Sequence, residues 1–146
     1  MNYKANGVQI DLPENFFFGE SSVTFFLDET KEKENTNLVL QRQKNIDLSD
    51  ARQVAELVKK NVENSALASS LKNIKIQDFI FADSKEGAFL SFKLSDGKEL
   101  NVTQFQVVRI DDEIITTATL TLDSSKLNSS SRKIFMASLA SITPES

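Results

Sequence analysis

"NVTQFQVVRI", residues 101–110, is partly apolar on both of its sides. Leu100, Val102, Val108 and Ile110 share one parity with Gln104 and Gln106, while Phe105 and Val107 occupy the other. Side chains alternate across a strand, so neither side of this one reads as plainly wet. Two readings stay open. Either isolated apolar residues are good strand formers on an exposed face, aided by a bulge that flips parity inside 98–110, or one face binds a partner.

The neighbouring segments also read as strands. Runs at 73–82, 87–95 and 113–122 flank this one, joined by "SDGK", whose Asp96-Gly97 pair is a tight-hairpin signal, and by the short turn "IDDE". Consecutive strands joined this tightly form an antiparallel meander. Upstream, Val8, Ile10 and Leu12 alternate up to Pro13, and "SSVTFFL" and "TNLVLQRQ" read as two further strands around the mixed-charge loop "DETKEKEN". The last strand has a core parity of Ile114, Thr116, Ala118, Leu120 and Leu122, and threonines dominate the opposite one.

Two segments change period. In 48–66, Ala51, Val54, Ala55, Val58 and Val62 recur at helical spacing, with Asp47 or Ser49 placed to cap the start. In "NSSSRKIFMASLASI", Ile134, Phe135, Leu139 and Ile142 suit one helical face. The pattern predicts an α+β fold. It is a single domain over 1–146, with an antiparallel sheet of about six strands and two main helices packed on one side of it.

Composition narrows the function classes. The chain has 146 residues, enough to bury a core without staples, and 40% of them are hydrophobic. Net charge is −4 and the 17 basic residues are scattered along the sequence, which argues against a nucleic-acid binder. Cysteine and histidine are both absent, which removes the usual thiol nucleophile, the commonest general base and the commonest metal ligands. The carboxylates Asp111, Asp112 and Glu113 are the one candidate magnesium site, and a solvated acidic turn is the commoner state of such a run. No enzyme, cofactor or metal is therefore expected. The start "MNYKANGVQIDLP" lacks a signal-peptide core and no stretch is long and apolar enough to span a bilayer, so the expected compartment is the cytoplasm.

The order "Y…GVQIDLP", "SSVTFFL", "NLVLQRQ", amphipathic helix and "TQFQVVR…EIITTATLTL" resembles the DcrB-like family, with its curved DcrB/PsbP-like sheet, and within it the Eag chaperones of bacterial type VI secretion. The resemblance spans nearly the whole chain through loose patterns rather than a catalytic signature. It implies a cytoplasmic homodimer that binds and shields the N-terminal transmembrane helices of a secreted effector, without itself entering the membrane. A concave apolar sheet with a few amides can imitate a neighbouring membrane helix.

The resemblance also implies contact residues. The family's apolar strand matches Ser22-Val23-Thr24-Phe25, which points to Val23 and Phe25, with Thr24 where asparagine is usual. The apolar residue ahead of the family's "SR" ending matches Val39, with Gln41 in place of serine, and the family's two amides match Gln104 and Asn61. The usual tryptophan of the last helix is missing, and Phe135 stands in its place. Read from the residues alone, Val23, Phe25 and Val39 could equally be core, and Gln104 and Asn61 solvated amides. The alternative function is a binding protein for a small apolar ligand on the same fold.

Overall fold

The computed structural model describes residues 2–5, 8–11, 20–26, 36–44, 48 and 50–144. In chain order the elements are β1 (Asn2–Ala5), β2 (Val8–Asp11), β3 (Glu20–Phe26), β4 (Asn37–Lys44), α1 (Ala51–Glu63), β5 (Leu71–Ile80), β6 (Glu86–Ser95), β7 (Asn101–Asp111), β8 (Ile114–Asp123) and α2 (Ser129–Ala140). β1 and β2 form a two-stranded antiparallel pair. The other six strands make one antiparallel sheet in the order β3-β4-β8-β7-β6-β5. α1 carries the chain from β4 to the far edge at β5, and the meander then steps back until β8 pairs with β4. The loop "DETKEKEN" and the expected caps Asp47 and Ser49 lie outside the described residues.

The two-sided strand is explained by a helix on each face of the sheet, rather than both helices on one. Pairing along β7 runs without a shift from Asn101 to Val108 against β6, and from Val102 to Asp111 against β8. No bulge flips its parity. The register shift of this sheet falls in β5, between Lys72 and Lys75, where Asn73 takes a φ of 55°. On the front face, Ala51, Val54 and Ala55 of α1 pack on Ala88, Val108 and Ile115, and Val58 and Val62 pack on Leu90, Phe92 and Leu94. On the back face, Phe135, Met136, Leu139 and Ile142 pack against Phe81, Phe89, Phe105, Val107, Ala118, Leu120 and Leu122.

Local chemistry sets the ends of these elements. Asp50 caps α1, its carboxylate accepting from the Gln53 N–H at 2.9 Å. Asn128 and Ser131 exchange side-chain and main-chain hydrogen bonds, both 2.9 Å, as a capping box at the start of α2. Gly97 has a φ of +76° in the β6–β7 turn, a conformation that glycine adopts without a Cβ clash, and the Asp96 carboxylate accepts from the N–H groups of Lys98 and Leu100. Ile134 does not join the docked face of α2. It is 66% exposed, because a rotation of about 100° per residue turns position 134 away from Phe135 and Leu139.

Candidate functional site

α1 covers only part of the front face. It lies over β5, β6 and β7 and reaches β8 at Ile115, and the apolar clusters described for it do not extend to β4 or β3. The register defines what the rest of that face contains. Gln106 pairs with Thr119, Thr119 with Val39, and Val39 with Thr24. On one side of this row stand Gln104, Thr121 and Asn37, and on the other Thr117, Gln41 and Ser22. The strip is neutral throughout. It is half-buried on β7, β8 and β4, and exposed at Ser22 and Thr24.

Its floor is held in place by side-chain bonds between neighbouring strands. The amide nitrogen of Gln104 donates to Thr121 Oγ1 at 2.9 Å, and that of Gln106 donates to Thr119 Oγ1 at 3.1 Å. These bonds orient the amides across the β7–β8 boundary and leave the threonine methyls as the apolar part of the surface. The Gln106 carbonyl oxygen is buried and has no hydrogen-bond partner among the described residues.

One flank of α1 forms the wall. Arg52 donates to Asp78 on β5 at 3.3 Å, which places that flank toward the β5 edge. Leu57 and Asn61, one turn apart, fall about 140° and 180° around the helix from Arg52 and so stand on the flank toward β8. Both are exposed, Leu57 by 49%. The site is therefore a trough with a threonine and glutamine floor and a wall of leucine and asparagine.

The structure brings together three of the five residues singled out from sequence. Val39 and Gln104 share the floor, and Asn61 stands on the wall. Val23 and Phe25 pair with Leu40 and Leu38, which pack against the back-face core, so both take back-face positions in the register. Thr24, between them, takes the front-face position opposite Val39. Sequence reasoning missed Gln106, Thr119, Thr121 and Leu57 as lining residues. The threonine-rich parity of β8 was the signal available for two of them. Asp111, one of the three clustered acids, accepts from the buried Arg109, and the described residues contain no group of acidic side chains placed to hold a metal.

The fold, an antiparallel sheet with two helices, resembles that of known solved proteins. Among solved structures, the chain is similar to the cyanobacterial PsbP, CyanoP, of Synechocystis, with a TM-score of 0.57 and 16% identity over 96% of this chain and 88% of that one. It is also similar to PA94 of Pseudomonas aeruginosa, a protein of unknown function, with a TM-score of 0.58 and 15% identity over 100% of this chain and 97% of that one. At these identities the likeness is one of fold. No family model matches the sequence, and no curated protein matches it. No helix among the described residues is long and apolar enough to cross a membrane.

Proposed function

We propose that the trough holds a membrane-spanning helix of another protein in water, and that the chain is a cytoplasmic Eag-type chaperone for the N-terminal helices of a type VI secretion effector. It works without catalysis, as a homodimer and without inserting into the membrane. The observation that carries this reading is the neutral, half-buried strip of the front face beside the exposed flank of α1.

Width and chemistry support it. Over the neutral rows, Thr117–Thr121 on β8 and Asn37–Gln41 on β4, the floor is five residues or about 16 Å long at about 3.3 Å per residue, room for about half the length of a membrane-spanning helix. A bilayer-spanning helix of about 20 residues is about 30 Å long. From β7 to β3 there are three strand spacings, or about 14 Å, against a helix diameter of about 10–12 Å. Threonine methyls, Val39 and Leu57 offer apolar contact, while Gln104 and Asn61 offer amide hydrogen bonds of the kind that join helices within membranes. A charged floor would repel such a helix.

Co-expression with the N-terminal segment of an effector encoded beside this gene tests the proposal. The segment should remain in the soluble fraction and be captured only when the chain is present. If several such segments stay insoluble and unbound, and the purified protein instead carries a lipid visible by native mass spectrometry, the trough serves a small apolar ligand and the chaperone reading falls.

A further inference from the structure

The back face carries an arrangement that helix binding on the front does not use. Arg109, near the end of β7, is only 2% exposed, and all five of its N–H groups are donated. Nε donates to Asp111 at 2.8 Å, and one terminal nitrogen donates to Asp111 at 3.1 Å and to Asp83 at 2.7 Å. The other donates to Asp83 at 3.1 Å and to the main-chain carbonyl of Ile142 at 2.7 Å. The Phe81 ring lies 4.7 Å from the guanidinium carbon. Two carboxylates thus grip one planar cation in the fork geometry that arginine allows and lysine does not. Its remaining donor is held on a carbonyl two residues beyond the end of α2.

A second bond ends at the same place. The Ala82 N–H, one residue from Asp83, donates to the carbonyl of Ala140 at 2.8 Å. The last turn of α2 is therefore tied to the sheet through the β5–β6 connection and through Arg109. The rest of the helix sits more lightly. Leu139 is its one buried residue, Ile134 faces solvent, and the Asn128–Ser131 capping box satisfies the helix start without bonding it to a strand. Near that end, Arg132 lies 5.1 Å over the Phe105 ring. α2 contributes nothing to the ladders of the sheet, so lifting it breaks only its own contacts.

We propose that α2 is a strap that leaves the back face as one unit, and that Arg109, gripped by Asp83 and Asp111, is the latch on its C-terminal end. With either carboxylate neutralised, the guanidinium loses half of its anchor and no longer holds the Ile142 carbonyl in place. Opening bares Phe89, Phe105 and Leu120, a second apolar surface on the side of the sheet opposite the trough. The latch stands whether or not the trough binds a helix.

Hydrogen exchange read by mass spectrometry on the full chain tests it, with wild type compared to Asp83→Asn and Asp111→Asn at neutral pH. Exchange over 129–142 should quicken about tenfold or more in both variants while β6, β7 and β8 stay within about twofold, as expected when a charge-assisted bond is lost from one local unit. Equal acceleration of strap and sheet would place Arg109 in the global core and overturn the latch. Leu139→Ala, which loosens the seat and leaves the ion cluster intact, is the second variant. If it frees 129–142 while both asparagine variants leave that segment at the wild-type rate, packing alone holds the strap and the proposal is wrong.

Discussion

Replacing Val39 with aspartate should abolish helix capture, whereas the same change at Val23 should not. Val39 is half-buried at the centre of the trough floor, paired on one side with Thr119 and on the other with Thr24. A helix lying over that row would meet the new carboxylate close to its midpoint. Burying an aspartate at the middle of a membrane helix costs about 2.5–3.5 kcal/mol on insertion scales, and a carboxylate pressed against such a helix faces the same desolvation. At about 1.4 kcal/mol per decade this is roughly a 60- to 300-fold loss of affinity. Val23 is 37% exposed and takes a back-face position opposite Leu40, so aspartate there should change capture by no more than about twofold, the effect of an ordinary surface substitution. A labelled helix peptide titrated against each variant measures the difference, with circular-dichroism melts confirming that both are folded. Equal loss in the two variants, or retention of binding by folded Val39→Asp, would refute the assignment of the trough.

Other consequences concern the fold itself. Phe105 is 1% exposed with its ring 5.6 Å from that of Phe89, and Phe105→Ala should cost about 3–5 kcal/mol in urea unfolding; a loss under about 1 kcal/mol would contradict the packing described. Gly87→Ala should destabilise by about 1–3 kcal/mol or more, because its Cβ would fall on the Val108 carbonyl and 2.6 Å from Phe81 Cε2, and an unchanged melting temperature would disprove that close approach. The hydrogen bond from Arg109 holds the Asp83 carboxyl below its ordinary value of 3.8. The folded state thus binds this proton less readily than the unfolded one, and the stabilisation is complete above that ordinary value and lost as pH falls through the lower folded value. The urea midpoint should drop on acidification below about pH 4, less steeply in Asp83→Asn, and stay flat from about pH 5 to 7 because the chain has no histidine. Identical acid limbs in the two proteins would remove Asp83 from the account.

Elements that depend on near neighbours in the chain were legible. The 3.6-residue spacing from Ala51 to Val62 marked α1, Asp96-Gly97 marked the β6–β7 turn, and the short turns marked the meander, because helices, caps and hairpins are made by residues a few positions apart. β1 escaped notice, since the alternation of "NYKA" covers only four residues and none of them is β-branched. Asp50 was passed over as the cap in favour of Asp47 and Ser49, three oxygen-bearing side chains within four positions that differ little until the first helical residue is known.

The candidate site was legible as chemistry and only partly as place. Gln104 was singled out by the family resemblance and not Gln106 beside it, although both amides bond across to threonines of β8. Val23 and Phe25 stood out as apolar, yet apolarity does not tell a floor residue from a back-face one when both sides of a sheet are covered in part. A shift of one position exchanges the faces, which is why Thr24, and not its neighbours, stands opposite Val39.

Local pattern was enough for the α+β class, every strand but β1, both helices and the antiparallel hairpins, all of which follow from periods of two and 3.6 and from turn residues. Long-range packing set the helices on opposite faces, returned β8 to pair with β4, and so brought Val39, Gln104 and the flank of α1 into one trough. The Arg109 cluster belongs to the same level, joining positions 83, 109, 111 and 142. The physical reason is that β7 is apolar on both parities, so local pattern fits either face, and the choice is made by which distant segments can pack there together.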